Sequence, residues 1–162
     1  MGDAFSFRLE VLQKELDIID SSVRKIDDIG NSIKNWAIIT WAGSISVVIS
    51  KPDLHPFLLF TAIPPIIFMF TDAYWRKIQR RFFYRQLQIS NYLNSKKFED
   101  SFKTKELDFR ILDPIARNAI KQPEFKHFIA VQKILKFPTV SFLYIGLSII
   151  SVFIFFISGV KI

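Results

Sequence analysis

The chain has 162 residues, 50% of them hydrophobic and 23% charged, a mean hydropathy of +0.25 and a formal net charge of +7. That is one domain's worth of chain, and an apolar fraction this high beside so much charge implies that the two kinds of residue are segregated along it. Cysteine is absent, which excludes disulfides, thiolate metal sites and cysteine nucleophiles.

The charges fall in two blocks. Residues 1–34 hold five Lys and Arg against seven Asp and Glu, and residues 76–137 hold fifteen against six; residues 35–75 hold one against two, and 138–162 one against none. This pattern predicts an all-α membrane protein with three transmembrane helices. Its parts are a cytosolic amphipathic helix over 1–34, a transmembrane hairpin over 35–75, a basic cytosolic helical segment over 76–137 and a third transmembrane helix over 138–162. The first block is too acidic for a signal-peptide n-region, so the N-terminus is expected to be retained.

Within that block Phe5, Leu9, Leu12, Leu16, Ile19, Val23 and Ile26 are spaced 4-3-4-3-4-3, and the series resumes at Ile33. This is the a/d seam of a heptad helix, which cannot remain wet. Either the same helix in other subunits closes it into a coiled coil, or it folds back on residues 76–137. Val11 and Ile18 widen the stripe, and Gly30 with Asn31 is expected to kink or end the helix.

The first apolar stretch, WAIITWAGSISVVIS, covers residues 36–50, and KPDLHP separates it from a second over residues 57–74, interrupted by Pro64 and Pro65 and by Asp72. So short a connection predicts a hairpin turn. Fifteen helical residues reach only roughly 22 Å, short of a hydrocarbon core of roughly 30 Å. The second helix is expected to continue to about Leu93, residues 95–112 to form a loop with a short helix, and Asp113-Pro114 and Gln122-Pro123 to start two further helices. Residues 139–160 contain no Asp, Glu, Lys, Arg or His and are long enough to span.

Between the second and third apolar stretches lies WRKIQRRFFYRQ, with Arg76, Lys77, Arg80, Arg81 and Arg85 and no acid. Cations flanking a span mark its cytoplasmic end. Lys126, Lys133 and Lys136 precede the third span in the same sense, whereas the hairpin turn offers Lys51 offset by Asp53. The N-terminus and residues 76–137 are therefore expected inside, the hairpin turn and residues 160–162 outside. Trp36, Tyr74 and Trp75 fall where interfacial aromatics belong. The five cations are placed against the inner leaflet, where they can hold anionic lipid; nucleic acid is not the expected partner, since no reader module accompanies the charge.

No catalytic motif, metal site or cofactor is expected. His55 and His127 fall on opposite sides of the membrane in this topology, and no Gly-rich phosphate loop, H-E-x-x-H or G-x-S-x-G occurs. Asp72, the acid nearest a span, is placed to pair with Arg76 at i+4. In the third span Ser141, Tyr144, Ser148, Ser151, Phe155 and Ser158 share one stripe, which either packs against other helices or lines a pore formed by several copies. Ala42, Ser46 and Ser50 form a small-residue ladder on the first span, beside Gly43 and Ser44. Chains with such surfaces are expected to form homo-oligomers.

The runs IKNWAIITWAG, TDAYWRKIQRRFFYRQ and FPTVSFLYIGLSIIS resemble those of small bacterial inner-membrane proteins of unassigned activity. The layout is also similar to transmembrane effectors of anti-phage defence systems, of the retron or cyclic-nucleotide type, although those often have two spans. The resemblance implies an inner-membrane effector that permeabilises the membrane when triggered by a defence-system partner. The alternative is a non-enzymatic anchor or structural subunit for another protein.

Overall fold

A computed structural model describes residues 2–158, so the expected placement of residues 160–162 lies outside the described residues. The chain is all-α, with no strand among the described residues, and three of its helices are long and apolar enough to cross a membrane. α1 runs from Gly2–Ser50, a 3₁₀ segment from Pro52–Ala62 and α2 from Ile63–Leu93. After them come α3 (Lys96–Thr104), a 3₁₀ turn (Arg117–Ala119), α4 (Pro123–Phe128), α5 (Val131–Leu135) and α6 (Pro138–Ile157). At 1.5 Å per residue the 20 residues of α6 reach about 30 Å, the thickness of the hydrocarbon core.

Two compact units result, one of residues 1–26 and 77–130, the other of 27–76 and 131–162. These boundaries do not follow the alternation of charged and apolar blocks, because α1 and α2 each contribute to both units.

In the first unit the heptad seam is buried within its own chain. Phe5 packs with Tyr92 and Leu107, and Leu12 and Ile19 pack with Ile89, flanked by Leu16, Val23, Phe82 and Phe109. Phe109 stacks on Tyr92 with ring centroids 4.5 Å apart. Burial raises the pKa of the Tyr92 phenol. A second cluster joins Ala116, Ala119, Phe125 and Ile129, with Tyr84 and Phe128 against it.

In the second unit Ile33 and Ala37 of α1 meet Tyr144 of α6 beside Phe68 and Met69 of α2. Ala73, Ile134 and Val140 form a neighbouring cluster. The outward faces carry large apolar side chains, among them Ile39, Phe60, Ile67, Phe70, Phe142 and Phe153. Such a surface matches lipid better than water.

Three local expectations are corrected. α1 passes through Gly30 and Asn31 without ending. A Cβ at Gly30 would lie 3.0 Å from Arg76 Nη2 and 3.4 Å from Asp72 Oδ1, so the glycine serves close approach rather than termination. Asp113-Pro114 starts no helix: the Asp113 carboxylate accepts from the N–H groups of Arg117 and Asn118, at 2.7 and 3.0 Å, and closes a turn. The stretch after Lys51 is not a bare turn, because the 3₁₀ segment begins at Pro52; α2 then starts at Ile63, with Pro64 and Pro65 in its first turn, where their missing N–H groups are harmless.

Candidate functional site

The most unusual chemistry in the second unit is a charged cluster set among apolar helices. Arg76 Nη1 lies 2.5 Å from Asp27 Oδ1, and Arg76 Nε lies 3.6 Å from Asp72 Oδ1, the expected i+4 pair. Asp72 is fully buried, as is Tyr144, whose hydroxyl donates to Asp72 Oδ2 at 3.1 Å. One residue from α1, two from α2 and one from α6 thus share a single network, against the face left open by Gly30. Asp72 Oδ1 receives no hydrogen bond, so this carboxylate is held by charge on one side and by the phenol on the other. Buried charge in such surroundings is costly and is kept only where it is paired.

The serine stripe of α6 lies largely on its inward face. Ser141 donates to the Leu135 carbonyl, Ser148 to the Ala62 carbonyl at 3.2 Å, and Ser151 accepts from Trp41 Nε1 at 2.9 Å. Ser148 also bonds the Tyr144 carbonyl at 2.9 Å, and Phe155 is buried. Ser158 is exposed and bonds the Phe155 carbonyl. The stripe therefore joins α6 to α1, to the 3₁₀ segment and to the residues before Pro138. The ladder of Ala42, Ser46 and Ser50 faces outward, and nothing lies within 4 Å of a Cβ built at Gly43.

The five cations after Trp75 have different fates. Arg76 belongs to the cluster just described. In the first unit Arg80 donates to the Phe128 carbonyl at 2.6 Å and lies over the Phe128 ring. Arg85, only 1% exposed, forms a bidentate pair with Glu15 at 2.8 and 3.3 Å. It also donates to the Arg110 carbonyl and lies over the Phe109 ring. Lys77 and Arg81 are partly buried, and Arg81 Nε has no hydrogen-bond partner. His55 lies in the 3₁₀ segment of the second unit and His127 is exposed on α4 of the first.

Sequence reasoning missed Glu15, Asp27, Trp41 and the capping role of Asp113. A signal existed for two of them. Glu15 stands three residues after Leu12 and four before Ile19, within the apolar stripe, where an unpaired carboxylate would not be tolerated, and Asp27, four after Val23, lies at the edge of that stripe with its side chain about half exposed. Compared with protein-family models, with curated proteins and with solved structures, the chain matches none.

Proposed function

We propose that this chain is an oligomeric bacterial inner-membrane effector that perturbs or permeabilises the membrane when triggered, in anti-phage defence. Its N-terminus and residues 76–137 face the cytoplasm and its C-terminus faces the periplasm, a topology supported by the Lys and Arg excess of 76–137. The observation that carries the reading is the Asp27–Arg76–Asp72–Tyr144 network, which ties α1, α2 and α6 together. While complete it holds the three helices in one arrangement. Losing Arg76 leaves the buried Asp72 carboxylate uncompensated and favours rearrangement, the property required of a latch. The outward small-residue ladder supplies a surface on which copies can approach closely.

The test is to follow membrane potential with a dye on induced expression of the chain and of Arg76→Gln. The latch reading expects depolarisation to be earlier and stronger in the variant. Unchanged potential in both, with and without phage challenge, rejects the effector.

A second reading, a non-enzymatic anchor for a partner protein, draws support from a specific observation. The heptad seam and most of the serine stripe are already satisfied inside one chain. Stoichiometric co-purification of a partner with no toxicity favours that reading.

A further inference from the structure

The first unit contains a cavity of about 440 Å³ between α1, α2 and the loop that follows α3. Its walls include Ile18, Phe82, Leu112 and Ile115, and its lining also includes Arg110 and Arg117. Both arginines are exposed, and among the described residues neither guanidinium is paired with an acid. The acid that also lines the cavity, Asp113, has both carboxylate oxygens engaged by backbone N–H groups. The cavity therefore combines apolar walls with an excess of positive charge, two arginines against one aspartate.

The loop is held in this form from beneath. Glu15 accepts from the N–H of Leu112 at 2.8 Å and of Asp113 at 3.1 Å, while Arg85 grips the Arg110 carbonyl. Leu112 has φ of 63°, a left-handed backbone that a bulky residue seldom adopts, and its side chain is 71% exposed beside Ile18, itself 50% exposed. The chain thus fixes a leucine at the rim of the cavity, where it packs nothing in the core. Fixed backbone, apolar walls and a few charged groups in the lining are attributes of a small-molecule site, and the volume lies within the usual range of roughly 300–1,000 Å³.

We infer that this cavity binds a small organic anion, an apolar or aromatic body bearing a phosphate or carboxylate, with Arg110 and Arg117 at the anionic group and Ile18, Phe82 and Leu112 at the body. The assignment stands independently of the membrane reading. Inorganic phosphate lacks the apolar body, and a neutral aromatic lacks the charge, so each is a poor substitute.

The experiment uses the full chain in phosphatidylcholine nanodiscs and 1-naphthyl phosphate as the probe, with equilibrium dialysis against empty nanodiscs. Saturable binding of one probe per chain is expected. Arg110→Gln and Arg117→Gln each weaken it about tenfold, the loss of one charge-assisted contact. Ile18→Glu, an exposed position beside the cavity, abolishes it while the melting temperature is unchanged. 1-Naphthol and inorganic phosphate compete at least about tenfold less well. Binding that does not saturate, persists undiminished in Ile18→Glu and in the double arginine variant, or is matched by inorganic phosphate overturns the assignment. So does failure of the probe where an acidic peptide binds, which makes the surface a protein-docking site instead.

Discussion

Replacing Glu15 with Ala removes one carboxylate and leaves three groups without their partner. Arg85 stays 1% exposed with its charge opposed only by the Arg110 carbonyl, Gln88 and the Phe109 ring. Leu112 and Asp113 lose the acceptor of their N–H groups. Breaking a buried pair by removing one member costs about 3–5 kcal/mol, and each orphaned N–H adds about 1–3 kcal/mol. Such terms are not additive within one network, so we take about 4 kcal/mol as the expected loss for the unit. Read as native-state amide exchange at residues 110–113, that is an acceleration of roughly a thousandfold, since every 1.4 kcal/mol is tenfold. The loop is expected to open with the residues packed on it, Phe109 and Ile111. Glu15→Gln, which retains one acceptor oxygen, should accelerate exchange less. Replacing both members with Met should recover the charge term but not the two N–H groups, so exchange at 112 and 113 stays faster than in the parent. Acceleration of less than about tenfold in Glu15→Ala would show that the pair does not hold the loop.

Three further outcomes follow from the packing. Leu16→Asp with Ile19→Asp should unfold the first unit rather than merely dissociate an oligomer, because Ile19 is 1% exposed and its face is filled by Ile89; retained helical circular dichroism with a smaller species on size exclusion would return the seam to subunit contact. Gly30→Ala should be nearly neutral in thermal melting, the gain of about 1 kcal/mol in helix propensity offset by displacement of Arg76, whereas Gly30→Val should cost about 1–3 kcal/mol by overpacking; a neutral Val variant would mean that Arg76 moves freely. Trp41→Phe and Ser151→Ala should each lower stability by about 1 kcal/mol, and the double variant by little more than either alone, since both remove the same bond.

Helix content and the number of spans were legible because they depend on local signals. The apolar run of α6, the proline starts at Pro123 and Pro138, and the end of α2 near Leu93 can all be read from neighbouring residues. Gly30 misled for a related reason: a glycine in a helical pattern suggests a terminus when only neighbours are considered. What fixes its role is a guanidinium from a residue 46 positions later, pressed against its Cα face. Asp113-Pro114 has the same ambiguity, since Asp before Pro serves a helix start and a turn equally. The structure selects the turn, in which the loop's N–H groups are capped by Asp113 and held by Glu15.

The basic run after Trp75 marks the limit of reading charge without partners. Its composition does not distinguish a cation that meets solvent or headgroups from one that has left water. Arg76 and Arg85 find their acids 49 and 70 residues away, on α1. The acids carried the stronger information. An aspartate or glutamate inside an apolar stripe is costly to bury, so its presence there implies a cation on the facing helix. Applied to Glu15, that rule requires a basic partner on a helix packed against α1, and α2 supplies five candidates within ten residues. It also decides between the two fates of the seam: an intermolecular coiled coil of identical helices would place Glu15 among copies carrying the same acid, whereas folding onto α2 brings it to Arg85. The charge inside the stripe, more than its apolar spacing, therefore favours closure of the seam within the chain.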